Sequence, residues 1–378
     1  MQKLLVVNAG SSSIKLALFD EQLAGAGTVS VSEIGGQSTL QDRAGQSHAC
    51  SAPDHAAALS LGLSALTALD GLTLAAHRVV HGGAQLVAPC RVTRTVADAI
   101  ADAAPLAPLH NPHNLAAIRA LAKLAPDLPQ FASFDTAFHA SNPDVATRYA
   151  VPDAVREMGI RRYGFHGISY ASLVQRLPGL TGAPLPHRLL ALHLGNGASL
   201  CAIRDGASVA TTMGYSPLDG LTMGTRAGSI DGNAVLRLGS VFGIERAGEI
   251  LNRESGLLGL GGASDMRRLR AMDTPEARFA IDHFCYWIIR HAGSMIAAMG
   301  GLDAIAFTGG IGENDAGLRA AVLAGLAWAD VAVDAGANAV GKPRLHESGS
   351  RVAVWTVNAQ EERHIAAEAL EIAARGAA

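Results

Sequence analysis

The amino-acid sequence predicts an α/β protein built from two similar domains. Short apolar, β-branched runs alternate with longer stretches rich in Ala and Leu, and this mixed order is typical of an α/β architecture. A chain of 378 residues is long enough for two domains. The pattern of strand, tight Gly/Asn/Ser turn, strand and acidic residue at 4–20 recurs at 189–205, which suggests a duplicated fold. Each copy would present its turn toward a shared cleft, and two unrelated hairpins are the alternative.

The predicted strands, in order, are the short apolar runs Leu4–Val7, Ile14–Phe19, Leu74–Val80, Phe131–Phe134, Leu189–Leu194, Ser199–Ile203, Ala304–Thr308 and Val352–Val357. The predicted helices are the longer stretches Ala56–Leu69, Leu115–Leu124, Pro275–Met299, Asp315–Trp328 and Glu361–Ala374. Pro275 suits the first turn of its helix, because that turn does not need the N–H that proline lacks. The segment from Pro143 to Glu157 is the predicted crossover between the halves.

Composition and charge exclude several classes of protein. With 49% hydrophobic residues, 17% charged residues and a formal net charge of -3, the sequence fits a globular protein and carries no electrostatic footprint for nucleic acid or an anionic membrane. The four cysteines form no CxxC pair, so we expect neither a thiolate zinc site nor a disulfide framework. A reducing cytoplasm is the expected compartment, with no signal peptide and no transmembrane helix.

Three separate turns are suited to binding phosphate. Gly, Ser and Asn expose backbone N–H groups without a bulky side chain, which is what a polyphosphate needs. Such turns lie at Asn8 to Ser13, with Lys15 just beyond, at Gly195 to Gly197, and at Thr308 to Asp315 between a strand and a helix. Neither a P-loop motif nor a strand followed by GxGxxG occurs. Several separated turns therefore indicate a nucleotide site in a cleft between two domains, and ordinary turns are the alternative.

Basic and imidazole side chains stand in segments flanked by glycine and other small residues. Arg78, His166 and Arg226 are examples, and a guanidinium matches the geometry of carboxylate and phosphate. A surface ion pair for each arginine and a structural role for His166 are the alternatives. His110 and His113 do not predict zinc, because the proline between them disrupts a common helix face and no Cys or carboxylate completes a ligand set.

Carboxylates stand at the ends of two predicted strands. Asp135 follows Phe131–Phe134, and Glu361 and Glu362 follow Val352–Val357. Acids at strand ends near phosphate turns commonly hold Mg²⁺, directly or through water. For the paired glutamates, a favourable position at the start of the last helix is a second explanation that is compatible with the first.

Taken together, these segments resemble the acetate kinase family, within the superfamily of acetate and sugar kinases, heat-shock chaperones and actin. The motifs that carry the resemblance span nearly the whole chain and occur in the family's order: VVNAGSSSIK, HRVVHGG, LAPLHNPHN, FDTAFH, RRYGFHG, HLGNGAS, MGYSPLDGLTMGTRAGSID and FTGGIGEN. The resemblance implies duplicated actin-like ATPase (ribonuclease H-like) domains with a nucleotide cleft between them. It also implies reversible transfer of a phosphoryl group from ATP to acetate, with Mg²⁺ or in its place Mn²⁺, by a homodimer.

The resemblance assigns roles to individual residues. Asp135, His166 and Arg226 correspond to the family's catalytic residues, and Arg78 to the partner of the acetate carboxylate. Val80, Leu109 and Pro217 are similar to the pocket for its methyl group, and Asn8 and Glu361 to the metal site. The nucleotide-binding positions are Lys15, His193, Leu194, Gly195, Asn196, Gly197, Asp265, Met266, Arg267, Gly310, Ile311, Gly312, Glu313 and Asn314.

The sequence departs from the family pattern just before Glu361, where the usual Thr-Asn reads Ala359-Gln360. The stretches near Glu21–Ala52 and Asp334–Ser350 look like trimmed surface loops. We expect an N-terminal domain at 1–145 and a nucleotide-binding domain at 146–363. From the resemblance, a final helix at about 364–378 is expected to pack back on the first domain.

Physical reasoning supports this chemistry independently of the resemblance. A carboxylate acceptor is already ionised at neutral pH, so no general base is required, and the obstacle is repulsion between two anions. Whether Asp135 orients Mg²⁺, orients an arginine or acts as an acid or base stays open. A propionate or other short-chain acyl kinase is the nearest alternative, because one methylene changes discrimination by only about 1–3 kcal/mol. A more remote one is an ATP-gated binding protein of the chaperone type, which would hydrolyse ATP slowly without acetate-dependent ADP release.

Overall fold

The structure is a computed structural model that describes residues 3–66 and 71–376. It divides into two compact units. Unit 1 takes the described residues of Met1–Phe138, Gly167–Ser172 and Gln360–Ala378, and unit 2 takes His139–His166 and Leu173–Ala359. The domain limits at residues 145 and 363 stay a prediction, and residues 377–378 of the predicted final helix lie outside the described residues.

Strands and helices follow one another in mixed order along the chain. The strands are β1 (Lys3–Ala9), β2 (Ser13–Phe19), β3 (Gly25–Ser32), β4 (Thr39–Gln41), β5 (Ser47–Ala49), β6 (Leu72–Val79), β7 (Cys90–Arg91), β8 (Gln130–Phe134), β9 (Arg188–Leu194), β10 (Ala198–Arg204), β11 (Ala207–Thr211), β12 (Ala304–Thr308) and β13 (Ala353–Thr356). The α-helices are α1 (His55–Leu66), α2 (Arg94–Asp102), α3 (Asn111–Leu124), α4 (Asp144–Thr147), α5 (Asp153–Arg156), α6 (Gly167–Thr181), α7 (Gly232–Phe242), α8 (Ile244–Glu249), α9 (Gly256–Gly261), α10 (Met266–Met272), α11 (Pro275–Met299), α12 (Gly309–Asn314), α13 (Ala316–Gly325), α14 (Ala335–Ala339) and α15 (Glu361–Gly376).

Unit 1 is built on a sheet in the order β5-β4-β3-β2-β1-β6-β8-β7. Strands β1, β6 and β8 run parallel, whereas β2 and β3 extend the sheet antiparallel. Helices α1 and α3 cover one face through a cluster that includes Leu59 and Leu121, and α15 covers the other through Ile365 and Ala369. Because the strands are covered on both sides, β1 reads as a continuous apolar run. Because β1, β6 and β8 run parallel, their carboxyl ends meet at one edge of the sheet.

Unit 2 repeats this arrangement. Its sheet has the order β11-β10-β9-β12-β13, in which β9, β10 and β11 are antiparallel neighbours and β9, β12 and β13 are parallel. The same sequence of pairings relates β3, β2, β1, β6 and β8 in unit 1. The predicted α/β fold with a duplicated unit is therefore confirmed, and the two recurring hairpins are equivalent parts of it.

The predicted central strands and long helices agree with these elements. Predicted Asp315–Trp328 is observed as α13 followed by a 3-10 turn at Ala327–Ala329, and the predicted end of the first helix at 67–69 lies outside the described residues. The prediction of a loop over Glu21–Ala52 is wrong, because this stretch contains β3, β4 and β5. Likewise, Asp334–Ser350 contains the short helix α14. Within the described ranges, no helix is long and apolar enough to cross a membrane.

Candidate active site

Three predicted site residues of unit 1 meet at the carboxyl edge of its parallel strands. Asn8 near the end of β1 is the register partner of Arg78 on β6, and Asp135 directly follows β8. Arg78 donates from Nε to Asp135 Oδ1 at 3.2 Å and from Nη2 to Asp135 Oδ2 at 2.6 Å. Its Nη1 donates to Asn8 Oδ1 at 3.3 Å. The strand ends thus hold the guanidinium of Arg78 by a fork-to-fork pair and an amide.

The Arg78–Asp135 pair is largely removed from solvent. Asp135 is 2% exposed. Burial alone would lower the pKa of Arg78, but the Asp135 carboxylate, with Glu361 and Glu362 nearby, raises the pKa above its usual value. A buried carboxylate of this kind is stable only beside its cation. Asp135 therefore pairs with Arg78 through both carboxylate oxygens and orients its guanidinium. Its role in the reaction stays a prediction.

The glutamates at the start of α15 have different partners. Glu362 Oε1 forms an ion pair with Lys15 Nζ at 2.7 Å. Burial would raise the pKa of Glu362, but Lys15 outweighs burial and lowers that pKa. Burial raises the pKa of Glu361, and the nearby Arg78 opposes this shift only in part. Lys15, predicted as a phosphate contact, is thus engaged by a carboxylate. A further cation would therefore stabilise the buried negative charge of Glu361.

The donor set of this edge suits a hard cation. Asn8 and Glu361 offer an amide oxygen and a carboxylate, which are ligands that Mg²⁺ prefers, whereas Asp135 and Glu362 are paired with Arg78 and Lys15. Among the residues that the structure describes, no cluster of three or more His, Cys, Asp or Glu side chains forms a metal site. Mg²⁺ commonly binds through one or two carboxylates together with water and substrate phosphates. The residues therefore fit a shared protein and nucleotide site.

Two buried asparagines bind the backbone beside these strand ends. Asn114 Oδ1 accepts from the Val80 N–H at 3.1 Å, and its Nδ2 donates to Ala9 O at 2.6 Å. Asn111 Oδ1 accepts from the His81 N–H at 3.0 Å. The LHNPHN segment thus binds the backbone at the end of β1 and after β6. Sequence reasoning missed both asparagines, and their signal was two amides one helical turn apart at the start of α3.

Unit 2 brings together a second group of predicted residues. His166 stacks on His193 with ring centroids 4.1 Å apart, and its Nδ1 lies 2.8 Å from Ser199 Oγ. A Cβ at Gly197 would lie 3.1 Å from His166 Nε2 and 3.7 Å from Arg226 Nη1. Because Gly197 has no side chain, the imidazole of His166 and the guanidinium of Arg226 can both lie close to this turn.

Local backbone geometry positions His166 and Arg226. His166 has a φ of 58°, an uncommon left-handed conformation for a residue other than glycine, at the start of α6. Arg226 Nη1 donates to Pro217 O at 3.2 Å, so Pro217 contributes its carbonyl to the arginine.

The residues of the predicted methyl pocket lie in both units. Val80 is buried and Leu109 is half-buried in unit 1. Pro217 shares unit 2 with Arg226.

An open cavity of about 560 Å³ in unit 2 gathers most of the predicted nucleotide-binding residues. It is lined by Gly195, Asn196, Ser264, Asp265, Met266, Arg267, Arg270, Gly310, Ile311, Asn314, Asp315 and Ala316. Met266 and Ile311 supply apolar surface, and the small residues expose backbone. Sequence reasoning missed Arg270, which forms a bidentate pair with Asp315, both distances being 2.8 Å. This mixture of apolar walls and backbone donors is typical of a pocket for a nucleoside.

Six predicted nucleotide-binding residues do not line this cavity, and one of them, Lys15, is paired with Glu362 in unit 1. Leu194 and Gly312 are buried, and His193 and Gly197 belong to the group around His166. The carboxylate of Glu313 accepts backbone hydrogen bonds instead. The motifs therefore mark one region of unit 2, whereas the direction of each side chain depends on the fold.

Comparison with known proteins identifies the chain as a phosphotransferase that uses a carboxyl group as acceptor. The chain belongs to the acetokinase family, whose family model matches residues 3–367. It is 42% identical over 393 residues to the acetate kinase of Methylocella silvestris, with 97% of each protein covered.

Solved structures agree with this family. The acetate kinase of Porphyromonas gingivalis matches with a TM-score of 0.91 and 32% identity, covering 99% of this chain and 100% of that one. A propionate kinase from Francisella tularensis matches with a TM-score of 0.91 and 31% identity, covering 97% of this chain and 99% of that one. Both kinds of acyl kinase thus share the fold of this chain.

Proposed function

We propose that this chain is an acetate kinase, which transfers a phosphoryl group reversibly between ATP and acetate. The single observation that best supports a carboxylate acceptor is Arg78, whose charge and direction are fixed by Asp135 at the edge that also carries Asn8 and Glu361. A guanidinium held in this way is prepared to bind a small carboxylate by a charge-assisted pair. Val80, Leu109 and Pro217 are the proposed pocket for the methyl group.

The proposed reaction is an in-line displacement. A carboxylate oxygen of acetate attacks the γ-phosphorus of ATP, the new P–O bond gives acetyl phosphate, and the bond to the β-phosphate oxygen breaks with its electron pair leaving on ADP. No proton is removed from the acceptor, since a carboxylic acid is ionised at neutral pH. Catalysis then depends on positive charge and hydrogen-bond donors around the transferring group.

The residues of the candidate active site have separate proposed parts in this step. Arg78 binds and orients the acetate carboxylate, and Asp135 holds Arg78. Arg226 and His166 stabilise the charge that develops on the phosphoryl group. Mg²⁺, which Asn8 and Glu361 would hold together with the nucleotide phosphates, supplies neutralisation of phosphate charge.

We further propose a homodimer in the cytoplasm. Unit 2 exposes large apolar side chains near α7, α8 and α11, namely Ile230, Leu236, Val241, Phe242, Ile244, Phe279 and Tyr286. Such exposed apolar residues on one unit favour a second copy of this chain as their partner. The four cysteines are free thiols, as suits a reducing compartment. Light scattering would test the dimer, which Phe242→Glu is expected to dissociate.

A panel of acids tests the proposed function and its nearest alternative. Hydroxylamine traps the acyl phosphate product, so kcat/KM can be compared for acetate, propionate and butyrate with each nucleotide. We expect acetate to have the highest value. A higher value for propionate would assign the chain to the activity named for its Francisella tularensis relative. Slow ATP hydrolysis with no acid-dependent product would instead support a binding protein.

A further inference from the structure

Glu313 makes an unusual contact within unit 2. Its Oε1 accepts hydrogen bonds from two backbone N–H groups, that of Gly309 at 3.0 Å and that of Ala359 at 2.8 Å. Gly309 is the first residue of α12, in the predicted nucleotide loop. Ala359 lies between β13 and α15, two residues before Glu361. One carboxylate oxygen therefore joins two segments that are far apart in sequence.

The Gly309 end of this contact has strict geometric requirements. Gly309 has a φ of 79°, and a Cβ there would lie 2.7 Å from Leu194 O. The side chain of the preceding Thr308 gives no cap hydrogen bond to α12. Glu313 satisfies the Gly309 N–H from within the same short helix, and it thereby fixes the turn whose next residues, Gly310 and Ile311, line the cavity.

The Ala359 end belongs to a segment held at three successive residues. The Val357 N–H donates to Phe307 O at 2.9 Å, and Arg176 Nη1 donates to Asn358 O at 2.6 Å. The Ala359 N–H then donates to Glu313. Because this last contact uses only the backbone of residue 359, it does not require a particular side chain there. The departure from the family pattern at Ala359 thus leaves the contact intact.

We propose that Glu313 is a positioning residue that fixes the nucleotide loop and the 357–359 segment together. The inference deepens the proposed function and rests on it, because the ligand of the loop is taken to be a nucleoside diphosphate or triphosphate. Glu313 acts through the Gly309 and Ala359 backbones and does not contact the nucleotide. The position of the nucleotide loop and that of the 357–359 segment then depend on the same pair of hydrogen bonds.

The test compares Glu313→Ala with Glu313→Gln, whose amide oxygen still accepts both hydrogen bonds, and with Glu313→Asp, whose oxygen is one methylene short. Glu347→Ala is the matched control, because Glu347 is exposed in the same unit and its side chain forms no hydrogen bond or ion pair with the described residues. ADP affinity is measured by calorimetry with and without Mg²⁺. Hydrogen exchange is followed in peptides covering 308–314 and 356–361.

We expect Glu313→Ala to weaken ADP binding by roughly tenfold or more, as fits the loss of hydrogen bonds to a charged acceptor. Exchange should accelerate in both peptides. The KM for ATP should rise while the KM for acetate stays unchanged. Glu313→Gln should restore near-normal values, Glu313→Asp should fall between, and Glu347→Ala should match the original protein.

Several outcomes would overturn the proposal. Equal losses in Glu313→Gln and Glu313→Ala would mean that the charge itself contacts the ligand. A lower melting temperature with unchanged ADP affinity would leave only a structural role. Faster exchange in one peptide alone would show that the segments are not joined through Glu313. Failure of the proposed function is a separate result, in which the original protein forms no acetyl phosphate. ADP affinity and hydrogen exchange would still test the role of Glu313 in that case.

Discussion

At the residue scale, the Arg78–Asp135 pair is the feature on which acceptor recognition depends. Neither residue is unusual in the sequence, since each is a charged side chain at the end of an apolar run. The fold makes them a bidentate pair, with Asp135 almost fully buried. An aspartate so placed has little room to act as a base, because both its oxygens already accept from Arg78. Its proposed contribution is the position of the guanidinium.

Substitution at this pair should therefore affect the acceptor more than the nucleotide. We expect Arg78→Ala to raise the KM for acetate more than the KM for ATP, because the ground-state partner of the carboxylate is lost. Asp135→Asn should raise the acetate KM in the same direction, since one oxygen of the bidentate pair becomes a donor. Initial rates with each substrate varied in turn measure both values. Equal shifts for acetate and ATP would contradict this division of roles.

Buried histidines give a residue-scale prediction about pH. Burial lowers the pKa of His77 and of His139 to about 4, from 6.5 in an unfolded chain. Between these values the unfolded chain binds protons that the folded chain does not, so stability falls as pH decreases from about 6.5 to about 4. Each histidine accounts for at most about 3 kcal/mol of that loss.

The measurement is the urea-unfolding midpoint at pH 7 and at pH 5. His77→Gln should narrow the difference between the two midpoints, whatever its effect on stability at pH 7, because the group that takes up a proton on unfolding is gone. His48→Gln is the control, since His48 is half-exposed beside Asp42. A pH dependence in His77→Gln identical to that of the original protein would exclude His77 from the linkage.

At the element scale, α15 carries two adjacent glutamates with separable roles. Glu362 is paired with Lys15, whereas burial raises the pKa of Glu361. We expect Glu361→Gln to raise the Mg²⁺ concentration needed for half-maximal rate at fixed ATP, because a carboxylate is lost while size is kept. Glu362→Gln should leave that concentration nearly unchanged. A shifted curve for Glu362→Gln with an unchanged one for Glu361→Gln would place the metal ligand one residue later.

The same scale shows what sequence reasoning can predict. Strands β1, β9 and β12 are continuous apolar runs because both faces are buried, so their pattern identifies them directly. Strand β3, with the sequence GAGTVSVS, was missed because Gly and Ser weaken the strand signal and half of it faces solvent. Partners such as Lys15 and Glu362 lie at opposite ends of the chain. Their contact follows from the packing of α15 on the first sheet, which no local pattern encodes.

At the scale of the whole molecule, the duplicated hairpin was the most informative feature of the sequence. Both sheets place an antiparallel hairpin beside two parallel strands, and the recurring pattern at 4–20 and 189–205 predicted the two hairpins. The two units carry different functional side chains. Unit 1 holds Arg78 and the carboxylates, and unit 2 holds His166, Arg226 and the cavity. The proposed reaction needs both sets, which explains why the motifs span the chain.

The most direct test of this account is the reverse reaction, in which ATP formed from acetyl phosphate and ADP is measured by luciferase. The original protein should form ATP only when both substrates and Mg²⁺ are present. Arg226→Ala should lower kcat by at least about 100-fold with a smaller change in the KM for acetyl phosphate, because a transition-state contact is lost. A folded original protein that forms no ATP would contradict the proposed activity, and an Arg226→Ala variant with an unchanged kcat would exclude Arg226 from the transition state.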